Sequence, residues 1–125
     1  MFAKHDPKVL IVDDSEVMRK LLGSLLKNNG FEVVEAKNGR DAINIFWDVK
    51  PDLITMDITM PEMDGITTLK EIMKLDPHAR IVMISAVGTV DRVKDAIYAG
   101  AKSFVVKPYE ANKVIATLRA VLEKK

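Results

Sequence analysis

Short apolar runs rich in valine and isoleucine alternate along the chain with longer segments in which apolar residues recur at helical spacing. The short runs predict five strands, at residues 9–12, 33–34, 53–56, 81–84 and 104–106. Nearly every residue in these runs is apolar, which is typical of strands that are covered on both faces of a parallel sheet.

The longer segments predict five amphipathic helices. In the first of them, apolar residues fall at i, i+1, i+4 and i+5, the spacing of a helix that turns one stripe towards a sheet. The apolar positions of the five helices are, in order, Val17, Met18, Leu21, Leu22, Leu25 and Leu26; Ala42, Ile43 and Phe46; Leu69, Ile72 and Met73; Val93, Ala96 and Ile97; and Val114, Ile115, Leu118, Val121 and Leu122. Turn-forming pairs such as Asn38-Gly39 and Asp64-Gly65 separate the elements.

Strict alternation of strand and helix predicts a doubly wound α/β fold, in which a five-stranded parallel sheet has helices on both faces. Right-handed crossovers allow few strand orders, and the flavodoxin-like order 2-1-3-4-5 is the common one for five strands. With 125 residues, we expect one domain, spanning 1–125. In such sheets the ligand site lies beyond the carboxyl ends of the strands, where the strand order reverses between the first and third strands.

Composition excludes several classes of protein. Nineteen basic and eighteen acidic residues give a net charge of +1, so the overall charge does not favour binding to nucleic acid or to an anionic membrane. The absence of cysteine excludes disulfides and thiolate metal sites. No apolar run is long enough for a membrane span or resembles a signal peptide, and we expect a soluble, cytoplasmic protein. His5 and His78 are isolated, and we predict no metal or catalytic role for them.

Polar residues follow four of the five predicted strands. Asp13 and Asp14 follow the first strand, Asp57 follows the third, and Ser85 and Lys107 follow the fourth and fifth. Because these strand ends share one edge of the sheet, three carboxylates are expected to converge there. They would repel one another unless a cation were bound, and carboxylate oxygens suit Mg²⁺.

Each of these residues also has a simpler interpretation when it is taken alone. The Asp13-Asp14 pair, with Ser15, could cap the first helix. Lys107 could be a solvated loop lysine and Ser85 a turn residue. Their coincidence at four strand ends instead favours a phosphoryl-transfer site. Asp57 would be the nucleophile, while Lys107, the metal and the Ser85 hydroxyl would stabilise the phosphoryl oxygens.

The segments IVDDS, MDITMPEMDG, ISA and VKPY resemble, in this order and at compatible spacing, the receiver domain of bacterial two-component response regulators, in particular its free-standing chemotaxis-type members. The resemblance covers residues 8–123. It implies that Asp57 is the phosphoacceptor and that Lys107 is the family's invariant lysine. It also implies that Asp13, Asp14, Asp57 and the backbone carbonyl of Thr59 hold Mg²⁺.

The same resemblance implies a switch and its partners. Ser85 and Phe104 correspond to the switch hydroxyl and the switch aromatic residue, although ordinary strand burial accounts for Phe104 equally well. The Lys107-Pro108 bond is typically cis in the family. The phosphodonor would be a phosphohistidine on a sensor histidine kinase or phosphotransfer protein. The protein is expected to be a monomer that could dimerise on phosphorylation. The surface formed by the fourth helix, the fifth strand and the fifth helix would transmit the signal to a downstream protein target. Candidate contacts there are Val90, Lys94, Ala96, Tyr98, Lys102, Tyr109 and Lys113.

Rival functions fit the sequence less well. A phosphatase of the haloacid-dehalogenase type needs an acidic residue two positions after its nucleophile, where Thr59 stands, so a turnover enzyme is disfavoured. A flavodoxin-like electron carrier needs a hydroxyl- and glycine-rich loop where this chain has DDSE, and no glycine-rich nucleotide-binding loop is present. The remaining alternatives are the receiver half of a larger regulator, for example one that binds DNA, and a phosphorelay intermediate. The last helix continues to Lys125 without a linker, which favours a free-standing protein.

Overall fold

The computed structural model describes residues 6–124, and His5 lies outside that part of the chain. Five strands and five helices alternate along it. They are β1 (Lys8–Val12), α1 (Glu16–Lys27), β2 (Glu32–Ala36), α2 (Gly39–Val49), β3 (Leu53–Met56), α3 (Gly65–Leu75), β4 (Ile81–Ser85), α4 (Val90–Ala99), β5 (Ser103–Val106) and α5 (Ala111–Glu123). All five predicted strands and all five predicted helices are confirmed, with strand bounds within two residues of those predicted.

The strands form one parallel sheet in the order β2-β1-β3-β4-β5, so the predicted order is confirmed. Val12 pairs with Met56 at the carboxyl ends of β1 and β3. Asp13 and Asp57, the residues that directly follow β1 and β3, therefore lie side by side at this edge of the sheet. Across the sheet, Ser85 pairs with Val106, so that Lys107 leaves β5 at this edge as well.

Two apolar layers cover the sheet. In β1, Leu10 and Val12 pack on the face covered by α2, α3 and α4, while Val9 and Ile11 pack on the face covered by α1 and α5. Successive strand side chains point to opposite faces, so a strand buried on both sides must be apolar at every position. β1, β3 and β4 are buried along almost their whole length and are apolar at every position except Lys8, Thr55 and Ser85.

Helices α1 to α4 each begin at a side-chain cap on the residue before the helix. The capping residues, whose oxygens accept a hydrogen bond from the amide three residues on, are Ser15, Asn38, Asp64 and Thr89. Ser15 therefore caps α1, and neither Asp13 nor Asp14 is needed for that purpose. At its other end α4 is closed by Gly100, whose φ of 118° lies in the left-handed region that glycine tolerates.

The predicted apolar stripes of α1 and α4 are too wide. Val17, Leu21 and Ile97 were expected to face the sheet but are 67%, 60% and 46% exposed. A helix lying on one face of a sheet buries a limited stripe, and in α1 that stripe is centred on Leu22 and Leu26. The opposite error concerns Ala96, a candidate output contact, which is completely buried against the sheet.

Within residues 6–124, none of the helices is long and apolar enough to cross a membrane.

Candidate functional site

Three carboxylates converge at the carboxyl edge of the sheet, as the strand order requires. Asp13, Asp14 and Asp57 each offer one oxygen, and these oxygens all lie within 4.8 Å of one another. Asp13 is buried, Asp57 is partly buried and Asp14 is exposed. The cluster therefore extends from the protein interior to solvent, and a ligand could approach it from the side of Asp14.

Lys107 joins the two inner carboxylates. Its Nζ lies 3.0 Å from Asp13 Oδ2 and 3.0 Å from Asp57 Oδ2. Burial by itself lowers the pKa of Lys107, but hydrogen bonds and charge interactions with Asp13 and Asp57 outweigh it and raise this pKa above its ordinary value. The lysine is therefore a cation at neutral pH. Its amide donates to the Ser85 carbonyl at 2.9 Å, which ties the chain after β5 to the end of β4, and the Lys107-Pro108 peptide bond is cis.

Backbone amides hold the other oxygen of each inner carboxylate. Asp13 Oδ1 accepts from the Ser15 amide at 2.9 Å, and Asp57 Oδ1 accepts from the Thr59 amide at 3.3 Å. No hydrogen bond within residues 6–124 engages the Asp14 carboxylate. The cluster thus provides three anionic oxygen donors and a single lysine cation, with no nitrogen or sulfur ligand, and this donor set fits a hard divalent ion such as Mg²⁺.

Gly65 allows α3 to begin close to the site. A Cβ at this position would lie 1.8 Å from the Asp57 carbonyl oxygen, and the Gly65 amide donates to the Ile58 carbonyl at 2.7 Å. Only glycine permits this approach of two backbones. Gly65 therefore helps to fix the chain that carries Asp57.

Comparison with known proteins agrees with this arrangement. The family model described as the response regulator receiver domain matches residues 9–119. The chain belongs to the response regulator receiver domain family. This receiver domain is 53% identical over 116 residues to the chemotaxis protein CheY of Bacillus subtilis, covering 92% of this chain and 97% of that protein. It is 50% identical over 115 residues to CheY of Thermotoga maritima, covering 91% and 96%.

Solved structures agree as well. A crystal structure of the CheX-CheY-BeF3-Mg²⁺ complex from Borrelia burgdorferi contains a chain that is 42% identical to this receiver domain. It superposes with a TM-score of 0.90, and the match covers 94% of this chain and 90% of that one. The family and the fold are therefore those that the sequence motifs indicate.

The two other predicted site residues, Ser85 and Phe104, make no hydrogen bond to the three carboxylates within the described residues. The Ser85 side chain is buried at the end of β4, and its Oγ accepts from the Val87 amide at 3.2 Å. No hydrogen bond within the described residues joins Ser85 to Asp57. Phe104 is partly buried and packs against the apolar layer on the side of α2 to α4. The receiver domain therefore brings together Asp13, Asp14, Asp57 and Lys107, and the Thr59 amide donates to Asp57. Ser85 ends the neighbouring strand, where its carbonyl accepts from the Lys107 amide.

Three neighbours of the site were not predicted from the sequence. Arg19 donates from Nη1 to the Asp13 carbonyl at 2.6 Å. Tyr109 lies close enough to Asp13 and Lys107 to interact with their charges. Burial raises the pKa of Tyr109, the cation of Lys107 lowers it, and Asp13 raises it further, with a net increase. Arg19 stands where sequence alone shows only a polar helix position, whereas Tyr109 was expected from the sequence as a candidate output contact and not as a neighbour of the carboxylates.

Thr55 is the third of these neighbours. Its hydroxyl is buried and has no hydrogen-bond partner within residues 6–124. It borders a cavity of about 10 Å³ that is also lined by Asp57, Lys107 and Tyr109. A polar residue within the otherwise apolar run LITM is the signal that could have drawn attention to it.

Proposed function

We propose that this receiver domain accepts a phosphoryl group on Asp57 from a phosphohistidine of a sensor histidine kinase or phosphotransfer protein. The observation that carries the proposal is the convergence of three carboxylates within 4.8 Å, two of them bound by Lys107 at 3.0 Å. Such a cluster is costly for folding alone, because like charges repel, and it suits the binding of a cation and a phosphoryl group.

The transfer itself is a displacement at phosphorus. A carboxylate oxygen of Asp57 attacks the phosphorus atom, and a P–O bond forms as the P–N bond of the phosphohistidine breaks. The bonding electron pair stays on the ring nitrogen that leaves, while the other ring nitrogen keeps its proton, so a neutral imidazole is released. The product is an acyl phosphate, which water later hydrolyses. The domain thus assists its own modification and is not a turnover enzyme.

The neighbouring residues support this step electrostatically. Lys107, already within hydrogen-bond distance of Asp57, neutralises the phosphoryl oxygens as they arrive. Asp13, Asp14, Asp57 and the backbone carbonyl of Thr59 would hold Mg²⁺, and the bound ion would supply positive charge that offsets the negative charge of the phosphoryl oxygens.

Phosphorylation then acts on a two-state element. The new group on Asp57 offers acceptor oxygens that draw the Ser85 hydroxyl away from the Val87 amide. The loop after β4 shifts, and the partly buried Phe104 turns further inwards. Exposed apolar side chains on α4 and β5, namely those of Val90, Tyr98 and Val106, belong to the surface formed by α4, β5 and α5 that carries the output to a protein target.

A free-standing, chemotaxis-type regulator is the form we propose for the whole protein. The CheY relatives from Bacillus subtilis and Thermotoga maritima, which are named as chemotaxis proteins, are covered over 97% and 96% of their lengths. The reading frame of the gene beyond Lys125 tests this directly. A continuation into a DNA-binding or enzymatic domain would contradict the free-standing form and leave the phosphoacceptor proposal intact.

Intact-mass spectrometry after incubation with acetyl phosphate and Mg²⁺ tests the phosphoacceptor. The wild type should gain the mass of one phosphoryl group and lose it on standing, while Asp57→Asn should gain nothing. Asp48→Asn, which changes an exposed carboxylate on α2, is the matched control and should behave like the wild type. Equal mass gain in the wild type and Asp57→Asn would exclude Asp57 as the acceptor.

A further inference from the structure

We infer that Arg19 and Glu35 form a positioning pair that sets the Mg²⁺ affinity of the acidic cluster by holding the main chain of Asp13. Neither residue is a metal ligand or touches the phosphoryl group. The inference rests on the proposed function, because it concerns the ion that the proposed function requires.

The hydrogen bonds of Asp13 show how closely this residue is held. Its amide donates to the Ala36 carbonyl at 3.2 Å, and its carbonyl accepts from Arg19 Nη1 at 2.6 Å. Its two carboxylate oxygens bind the Ser15 amide and Lys107 Nζ. Four hydrogen bonds from four residues therefore fix Asp13, and the contact from Arg19 is the shortest of the four.

Glu35 fixes the guanidinium that makes this contact. Arg19 Nε donates to Glu35 Oε1 at 3.1 Å, and Lys20 Nζ donates to Glu35 Oε2 at 2.8 Å. The Lys20 hydrogen bond is the largest cause of a lowered pKa of Glu35, and the Arg19 hydrogen bond adds to it against the opposing effect of burial. Glu35 is therefore an anion at neutral pH, and it neutralises the guanidinium beside the metal site.

The placement of Glu35 is unusual for its strand. Its register partner in β1 is Ile11, and the side chains on that face of β1 and β2, including Val33, pack into the apolar layer beneath α1 and α5. Alternation along β2 would continue that layer with an apolar residue. A carboxylate stands there instead, at the end of the strand that lies beside Asp13, where it meets Arg19.

The orientation of the Arg19 guanidinium explains how the Arg19–Glu35 pair affects metal binding. An arginine beside three carboxylates would ordinarily bind one of them and compete with a cation. Here it binds the main-chain carbonyl of Asp13 and the carboxylate of Glu35, and this leaves both carboxylate oxygens of Asp13 for Ser15, Lys107 and the ion. Groups that orient a metal ligand commonly change metal affinity by about 10- to 100-fold when they are removed.

The test is a double-mutant cycle read by isothermal titration calorimetry with Mg²⁺. Arg19→Met should raise the dissociation constant about tenfold, because the Asp13 main chain loses its anchor. Glu35→Gln should raise it by a similar factor, because the released guanidinium turns to the acidic cluster. The double variant should bind no more weakly than Arg19→Met alone, since Glu35 acts through Arg19.

Arg119→Met is the matched control. Arg119 also donates to a backbone carbonyl, that of Asn29 at 2.7 Å, and its guanidinium lies 5.4 Å from the Phe31 ring centroid, at the far edge of the sheet. Its removal costs stability without touching the site, so the dissociation constant should not change. With acetyl phosphate as donor, the Arg19 and Glu35 variants should need more Mg²⁺ for half-maximal rate and reach the wild-type rate at saturation. Thermal unfolding confirms that each variant folds.

The results of these titrations distinguish a failure of this inference from a failure of the proposed function. Wild-type affinity in both single variants would overturn the inference, and so would additive effects in the double variant or an equal loss in Arg119→Met. If the wild type takes up no Mg²⁺ at all, the proposed function itself is overturned. Asp14→Asn, which removes an exposed ligand, should abolish most of the uptake and confirms that the titration reports the cluster.

Discussion

Replacing Lys107 with methionine should destabilise the fold strongly at neutral pH and much less in mild acid. The substitution keeps the apolar stem and removes the ammonium that lies 3.0 Å from both Asp13 and Asp57. The three side chains are only 9–14% exposed, so solvent screens these charges poorly. What remains in Lys107→Met is a cluster of three carboxylates, none of which is paired with a cationic side chain within residues 6–124.

Two energies bound the loss of stability in Lys107→Met: the charge interaction that Lys107 makes and the cost of protonating a carboxylate in its place. At an effective dielectric constant of about 20, each Lys107 contact is worth roughly 5 kcal/mol, before the cost of removing the charges from water. Proton uptake by one carboxyl group relieves the repulsion, and for a group with an ordinary pKa of about 3.9 this costs about 4 kcal/mol at pH 7 and about 1.5 kcal/mol at pH 5. We therefore expect a loss of about 3–4 kcal/mol at pH 7, in the range known for breaking buried ion pairs, and at most about 1.5 kcal/mol at pH 5.

Urea unfolding of the wild type and Lys107→Met at pH 7 and pH 5 measures the loss of unfolding free energy at each pH. Lys107 of the wild type is a cation at both pH values, because its pKa is raised above 10.5 and its contribution to stability is lost only as the pH rises through that pKa. Lys74→Met removes a lysine that is 74% exposed and paired with Glu71, and it should cost at most about 0.5 kcal/mol at either pH. Added Mg²⁺ should recover more stability in Lys107→Met than in the wild type. A loss below about 1 kcal/mol at pH 7, or one that does not shrink at pH 5, would refute the reasoning.

Three further predictions concern residues around the cluster. Thr55→Val should raise the free energy of unfolding by about 1 kcal/mol and the melting temperature by a few degrees in calorimetry, because it removes a buried hydroxyl that has no partner within residues 6–124; a loss of stability would mean that this hydroxyl is satisfied. Gly65→Ala should cost more than about 2 kcal/mol in urea unfolding, because its Cβ would lie 1.8 Å from the Asp57 carbonyl oxygen, and a neutral effect would contradict that contact. Tyr98→Phe leaves Tyr109 as the one tyrosine, so that ultraviolet absorbance follows the titration of this phenol alone. Burial should place the midpoint above pH 10, and a midpoint at or below pH 10 would show that the Lys107 cation dominates.

Much of the site could be predicted because each residue follows a strand directly. Asp13, Asp57 and Lys107 are the first residues after β1, β3 and β5, and parallel strands end at one edge. Local sequence therefore placed these side chains in one region. It could not give the contacts, because the Nζ of Lys107 reaches residues that lie 94 and 50 positions away in the chain.

The errors have a common cause. Helical spacing marks Val17 and Leu21 as core residues as readily as Leu22 and Leu26, but only the position of α1 on the sheet decides which of them is covered. The role of Arg19 was missed for the same reason, because its partners, the Asp13 carbonyl and the Glu35 side chain, belong to the loop after β1 and to a different strand.

The sequence alone determined the alternation of strands and helices, the fully buried central strands and the acidic residues at the strand ends, because these depend on hydrophobic burial and on local backbone geometry. The tertiary structure alone decided which amphipathic side chains lie in the core and which cation neutralises which carboxylate. It also decided that Arg19 contacts a carbonyl and not an acidic side chain. Such interactions depend on distances of about 3 Å between residues far apart in the chain, and those distances are fixed only when the helices have packed onto the sheet.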